Sequence, residues 1–168
     1  MQGYLFQEGV KMDYLENIPF DELQEGQTAD YVKTISEDDI KLFAIISGDT
    51  NPLHLDPEYA KTTRFGQCIA HGSICAIIVS AAVATRIPGP GTIYAGQEMK
   101  FKKPVFPGDT LTATLTVQEK KRKGNIVLID CVIRNQHGDT VFTGVSTVVA
   151  PTEKVRIAAV KLPTVELR

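Results

Sequence analysis

The sequence predicts one α+β domain in which an antiparallel sheet wraps around a single apolar helix. Residues 74–85 contain no charged side chain and would be apolar on every side of a helix, which is typical of a helix buried in a core. From residue 93 onward, apolar residues recur at about every second position, the period of a strand with one buried face. An apolar helix followed by several long strands indicates the α+β class.

Composition favours one compact domain and narrows the classes of function. The chain has 168 residues, 43% of them hydrophobic, which is enough for a single core. Its net charge of -2 argues against nucleic acid as a partner. The three cysteines form no CxxC pair, so we expect reduced thiols in a cytoplasmic protein. The N-terminus does not resemble a secretory signal, and no stretch reaches the roughly 20 apolar residues of a membrane span, so we expect no membrane partner.

The first half of the chain reads as a strand followed by three helices. Residues 1–24 have no sustained period and are assigned to an N-terminal extension. Residues 31–35 favour a strand, and Ser36 with three acidic residues after it favours a helix start. That helix should end near Gly48 and carry on one side Ile40, Phe43, Ala44 and Ile46. A short helix over residues 54–61 should precede the apolar helix, which Pro88-Gly89-Pro90-Gly91 ends.

The second half reads as four strands joined by short turns. Alternation predicts strands over residues 93–102, 111–118 and 141–149. Residues 126–133 are apolar on both faces apart from Asp130, as expected of an inner strand. A basic hairpin tip lies at residues 120–124, and His137 falls in a turn, where we expect it to be exposed. The domain therefore spans residues 25–150 and is followed by a tail over residues 151–168.

The segment Ser47-Gly48-Asp49-Thr50-Asn51-Pro52-Leu53-His54 is the candidate functional site. It places a carboxylate and an imidazole five positions apart across a turn, where the two side chains can converge. The same residue types also end helices and make turns, so Asp49 fits a capping role equally well, and His54 fits a structural histidine. Their combination beside an uncharged helix favours a shared site held away from bulk water.

This segment resembles the hydratase signature of the MaoC-like, (R)-specific enoyl-CoA hydratases. The signature runs from an aromatic residue through Gly-Asp-x-Asn-Pro-aliphatic-His to a small residue six positions later, here Phe43 through His54 and Ala60. The likeness extends over roughly residues 27–150, including Arg64-Phe65-Gly66 and Ile69-Ala70-His71-Gly72. It implies the hot-dog fold, a homodimer or higher oligomer, and an acyl-CoA or acyl-carrier-protein thioester as substrate.

The resemblance also implies roles for individual residues. Asp49 and His54 are the expected catalytic pair, holding the water that adds across the double bond. Either can act as the base, since an imidazole titrates near neutral pH and an apolar site can raise a carboxylate's pKa. The backbone N–H groups of Gly72 and Ser73, at the start of the apolar helix, are the expected oxyanion donors. The expected pocket residues are Asn51, Pro52, His71 and Ile77.

Some features of the expected site rest on position alone. Some short-chain hydratases of this family have a serine where this chain has Ile77, which affects the acyl end of the pocket. Candidate cations for the substrate's phosphates are Lys61, Arg64, Lys100, Lys102 and Lys103. We expect no metal and no cofactor beyond the thioester substrate. The same fold also fits a (3R)-hydroxyacyl-carrier-protein dehydratase, a thioesterase or a non-catalytic acyl-thioester-binding module.

Overall fold

The computed structural model describes residues 14–165. Its elements are β1 (Tyr14–Glu16), β2 (Thr28–Thr34), α1 (Glu37–Ser47), α2 (Pro52–Leu55), α3 (Pro57–Lys61), α4 (Ile74–Thr85), β3 (Ile93–Phe101), β4 (Thr110–Lys121), β5 (Ile126–Arg134), β6 (Thr140–Val149) and β7 (Arg156–Ala158). Five strands form one antiparallel sheet in the order β2-β4-β5-β6-β3. Strands β2 and β3 are its edges, and β5, predicted to be an inner strand, lies at its centre.

The core lies between α4 and one face of this sheet, which confirms the predicted fold class. Six residues of α4 are buried: Ile74, Cys75, Ile78, Val79, Ala82 and Val83. Against them, β4 buries every second residue, as the alternation predicts, and Leu111 and Leu115 are fully inaccessible to solvent. Between residues 14 and 165, no helix is long and apolar enough to cross a membrane.

Helix α1 has the predicted limits and, apart from Ile46, the predicted inner face. Ser36 and Asp39 form a capping box at its start, and Gly48 ends it in a left-handed conformation, with φ of 73°. Ile40 and Ala44 are buried, whereas Ile46 is 73% exposed, so the expectation for Ile46 is wrong. A helix that contacts the domain along a narrow stripe buries only residues about one turn apart.

The single helix predicted over residues 54–61 is two short helices instead. Asp56 ends α2 and begins α3 with an extended backbone, and its carboxylate accepts hydrogen bonds from the N–H groups of Glu58 and Tyr59. Proline disfavours the helical region for the residue before it, so Pro57 breaks the helix at Asp56. Because of this break, the direction of α2, which carries His54, differs from that of α3.

Strand β3 exposes apolar side chains along an edge of the sheet. Ile93, Met99 and Phe101 are 64%, 45% and 52% exposed. The register with β6 shifts between Tyr94 and Gly96, which marks a bulge. An exposed apolar edge strand is a surface on which another chain can pair.

The two ends of the described chain meet beside the domain. Strands β1 and β7 pair antiparallel, and the buried Asn17 side chain bonds to the backbone of Pro90, Glu153 and Val155. Phe20 and Leu23 are buried and belong to the main core. The domain boundaries at residues 24 and 150 stay predictions, and residues 1–13 lie outside the described part of the chain.

Candidate active site

The turn after α1 orients Asp49 through local hydrogen bonds. The N–H of Asp49 donates to the Ser47 hydroxyl at 3.2 Å, and the N–H of Asn51 donates to Asp49 Oδ1 at 3.0 Å. Asn51 Oδ1 in turn accepts the N–H of Leu53 at 3.1 Å and caps α2, with Pro52 in its first turn. Asn51 and Pro52 therefore build the turn. The second oxygen of Asp49, Oδ2, faces the site.

His54 is held in one tautomer by the segment before α4. Its Nδ1 lies 2.7 Å from the backbone carbonyl of Ile69. Because a carbonyl can only accept, Nδ1 carries the hydrogen, and the lone pair of the neutral ring is on Nε2. The backbone N–H of Ile69 also reaches the carbonyl of Leu53, at 3.4 Å, so the turn and this segment are tied together.

His71 lies beneath this pair and is almost completely buried. Its ring stacks on that of His54, with centroids 3.9 Å apart, and meets the ring of Phe43 at 4.6 Å. Its Nε2 is 3.8 Å from Asp49 Oδ2, too long for a hydrogen bond. Burial, and secondarily the nearby His54, lower the pKa of His71, while the carboxylate and backbone of Asp49 oppose them. His71 is therefore a neutral ring at pH 7.

Asp49, His54 and His71 converge on one small volume. One polar atom from each side chain lies within 4.8 Å of the other two, so one water can contact all three. Their exposure differs, because the His71 side chain is 3% exposed and that of Asp49 is 45% exposed. We expected the site to be held away from bulk water. In the single chain, the two imidazoles are less exposed to water than the carboxylate.

Backbone donors lie at the start of α4, beside this cluster. Within residues 14–165, neither the N–H of Gly72 nor that of Ser73 forms a hydrogen bond. The helix dipole adds partial positive charge there, so a developing oxyanion would find two unused donors. A Cβ added at Gly72 would lie 3.3 Å from the Phe101 ring, so a glycine keeps this approach open.

Two cavities border the cluster, and a third is connected with it through Phe43, whose ring contacts His71; together they are lined by most of the other predicted residues. A cavity of about 280 Å³ is lined by His54, His71, Gly72 and three of the candidate cations, Arg64, Lys102 and Lys103. On the other side of His54, a cavity of about 450 Å³ is lined by Lys61 and Cys68. A mostly apolar cleft of about 160 Å³ is lined by Ile77 together with Leu42, Phe43, Ile46, Ile74 and Ile78, and also by the ion pair of Lys33 and Asp39. Lys100 lines none of these three cavities.

The cluster also contains the residue types that bind transition metals. A bound metal lies in the plane of each imidazole, at roughly 2.0–2.1 Å from the nitrogen. The planes of the stacked His54 and His71 rings are only 30° apart, so they converge well beyond that distance. This arrangement suits a hydrogen-bonded water better than a metal ion.

Sequence reasoning missed the contacts that orient the site. The carbonyl of Ile69 has no side-chain signal, and Phe43, although it begins the signature, was not predicted to contact the ring of His71. Phe101 reads only as a strand residue, although it lies against Gly72. These contacts join positions that the fold alone brings together.

Fold and site together define a hot-dog domain that brings a carboxylate and two imidazoles to one small volume. The chain belongs to the MaoC like domain family, whose model matches residues 20–144. It is 47% identical over 134 residues to an (R)-specific enoyl-CoA hydratase of Rhodospirillum rubrum, covering 79% of this chain and 91% of the relative.

Solved structures give the same assignment. The unliganded R-hydratase PhaJ1 from Pseudomonas aeruginosa matches with a TM-score of 0.88 at 44% identity, over 92% of this chain and 99% of that one. The (R)-hydratase from Aeromonas caviae matches with a TM-score of 0.74 at 39% identity, over 77% of this chain and 98% of that one.

Proposed function

We propose that this protein adds water to trans-2-enoyl-CoA thioesters and releases (3R)-hydroxyacyl-CoA, in a reversible reaction. The observation that carries the proposal is the convergence of Asp49 and His54 beside the unused N–H groups of Gly72 and Ser73. Hydration needs a base for water attacking C3, an acid for C2, and donors for the charge that builds on the thioester oxygen. The (R)-hydratases to which this chain is similar support the choice of reaction.

The proposed steps leave the base open between two groups. Asp49 or His54 takes a proton from the water as its oxygen bonds to C3. The C2=C3 π bond breaks as its electrons move toward the thioester oxygen, which accepts hydrogen bonds from the N–H groups of Gly72 and Ser73. A proton from the Asp49–His54 pair then goes to C2 and balances the one taken from the water. Because one water contacts both side chains, hydroxyl and proton add to the same face of the double bond.

Two cavities support a proposed placement for the two ends of the substrate. The cavity lined by Arg64, Lys102 and Lys103 suits the phosphates of CoA, because these cations surround an opening that reaches Gly72. The apolar cleft at Ile77 suits the acyl chain, and its size favours short chains. Rates on enoyl-CoA substrates from butenoyl to dodecenoyl should therefore fall as the chain lengthens.

Incubation with crotonyl-CoA tests the reaction. We expect loss of the enoyl absorbance without free thiol, and a single (3R) product. Asp49→Asn and His54→Ala should each lower kcat by at least about a hundredfold. Asn at position 49 keeps an oxygen for the Asn51 N–H, so the turn should survive. The exposed turn variant His137→Gln is the control. Release of free thiol, or unchanged kcat in both variants, would refute the proposal.

The active form is proposed to be a homodimer joined along β3. The exposed Ile93, Met99 and Phe101 lie on this free edge, and Phe101 lies against Gly72. A second copy there would cover apolar surface and shelter the site. Analytical ultracentrifugation should give twice the mass of the chain. Met99→Glu should shift it to the monomer, and a monomeric wild-type protein would contradict the proposal.

A further inference from the structure

His71 is a buried polar side chain whose nitrogens lack a hydrogen bond of ordinary geometry. Neither Nδ1 nor Nε2 meets the distance and angle of a hydrogen bond to any residue in the described part of the chain, although the backbone of Asp49 lies close enough to raise the pKa of the ring. Leaving a buried polar group unpaired costs stability, and an apolar residue of similar shape would avoid that cost. An unpaired imidazole at the edge of a catalytic cluster indicates a partner that arrives with the reaction.

We propose that His71 is a third catalytic residue, which holds the reacting water together with Asp49 and His54. The proposal rests on the hydration reaction proposed above, since it concerns the same water. Three atoms at most 4.8 Å apart have a common point about 2.8 Å from each, an ordinary hydrogen-bond length to water. The 3.8 Å between His71 Nε2 and Asp49 Oδ2 fits a shared water better than a direct bond.

The tautomer of His54 determines the direction of each hydrogen bond. Nδ1–H of His54 is committed to the carbonyl of Ile69, so Nε2 accepts, and the Asp49 carboxylate also accepts. The two O–H bonds of the water then point to Asp49 and His54. One lone pair faces C3 of the substrate, and the other accepts the Nε2–H of His71.

The neutral state of His71 makes this role consistent with the chemistry. The charged or titratable groups in contact with the His71 ring are Asp49 and His54, and burial lowers the pKa of His71. A neutral His71 ring donates one hydrogen bond. It adds no second positive charge beside His54 when the His54 ring gains a proton. During hydration one O–H bond of the water breaks, the C3–O bond forms as the C2=C3 π bond breaks, and the proton goes to Asp49 or His54, from which pair a proton then goes to C2. His71 keeps its own proton throughout.

Two substitutions separate this role from simple packing. His71→Phe keeps the ring volume beside Phe43 and removes both nitrogens, whereas His71→Gln places an amide N–H near the position of Nε2. A packing role predicts that Phe is tolerated at least as well as Gln. The water-holding role predicts the opposite order.

Steady-state kinetics with crotonyl-CoA measure the difference. We expect His71→Phe to lower kcat by at least about tenfold with KM nearly unchanged, and His71→Gln to recover most of that loss. His137→Gln should match the wild-type protein. If His71→Phe does not fold, comparing His71→Gln with His71→Asn replaces it, because the shorter Asn amide reaches only the Nδ1 position. Phe equal to or better than Gln, or Asn equal to or better than Gln, overturns the proposal.

Failure of this inference and failure of the proposed function give different results. If wild-type protein hydrates crotonyl-CoA and His71→Phe does so equally fast, only the role of His71 is refuted. If wild-type protein hydrates no enoyl-CoA from butenoyl to dodecenoyl, the reaction itself is refuted, and the inference with it.

Discussion

Gly144 provides a test of how closely β3 and β6 pack, and the size of the effect follows from the structure. Gly144 lies opposite Met99 in the β3–β6 pairing. A Cβ added there would fall within 2.2 Å of the Glu98 carbonyl oxygen and 3.1 Å of the Phe142 ring. Carbon and carbonyl oxygen approach to roughly 3.3 Å, so β3 would have to move by roughly 1 Å. The obstructing atom belongs to the backbone and cannot rotate away.

We expect Gly144→Ala to destabilise the domain by about 3 kcal/mol, the upper part of the usual range for overpacking. For a chain of this size, that corresponds to a fall in Tm of roughly 6–12 °C. Thermal unfolding followed by circular dichroism measures the difference. The control is Gly96→Ala, also in the β3–β6 pair, whose nearest atom would be Thr147 Cβ at 4.0 Å. We expect its effect to stay within about 0.5 kcal/mol. Equal Tm values for the two variants would refute the predicted close approach.

Three further predictions concern the active site and the thiols. Gly72→Ala should lower kcat by about a hundredfold, because the added methyl group narrows the path by which the thioester oxygen reaches the backbone donors. The loss of stability should be small, because the exposed Phe101 ring can move aside. An unchanged kcat would exclude Gly72 from the site. Folding lowers the pKa of His71 from 6.5, so the unfolded state binds the proton more tightly than the folded state. The unfolding free energy of the wild-type protein, measured relative to that of His71→Phe, should therefore fall as the pH drops below 6.5. A difference in urea denaturation that does not depend on pH would contradict this. Burial raises the pKa of Cys75 to about 12. A thiol reagent at about pH 8 should therefore label only the half-buried Cys68 in the folded protein, as detected by mass spectrometry. Labelling at Cys75 would be inconsistent with its burial.

The fold could be predicted from sequence wherever one local pattern determined an element. The limits of α4 follow from its uncharged run, the end of α1 follows from Gly48, and the buried face of β4 follows from strict alternation. The predictions of fold class and family are confirmed. Prediction was wrong where a neighbour decided the outcome. Pro57 acts on the residue before it and divides one predicted helix into two.

Exposure along β3 depended on information outside the strand itself. The alternation of its apolar residues was visible, but its position at the edge of the sheet follows from pairing with β6, about forty residues later. Ile46 is a similar case, because the 3.6-residue period identifies the side of α1 but not the width of the stripe that packs.

The candidate site divides in the same way between local and distant information. The motif identifies Asp49 and His54 because a single turn carries both, and the hydrogen bonds of that turn join residues at most four positions apart. Their orientation comes from elsewhere: Ile69 fixes the tautomer of His54, and His71 supports its ring. The signature therefore identifies the reacting groups, whereas the segment before α4 determines their geometry.

Asp49 is the member of the cluster that most needs a change in surroundings before reaction. Its side chain is 45% exposed in the single chain, while a carboxylate base gains strength in a dry site. A thioester bound from Gly72 toward Ile77 would displace water from one side of the carboxylate, and a second copy along β3 would close the region around Phe101. Substrate binding and assembly would thus act on the same group. Activity of Met99→Glu should consequently fall together with its dimer content, and full activity in a monomeric Met99→Glu protein would separate catalysis from assembly.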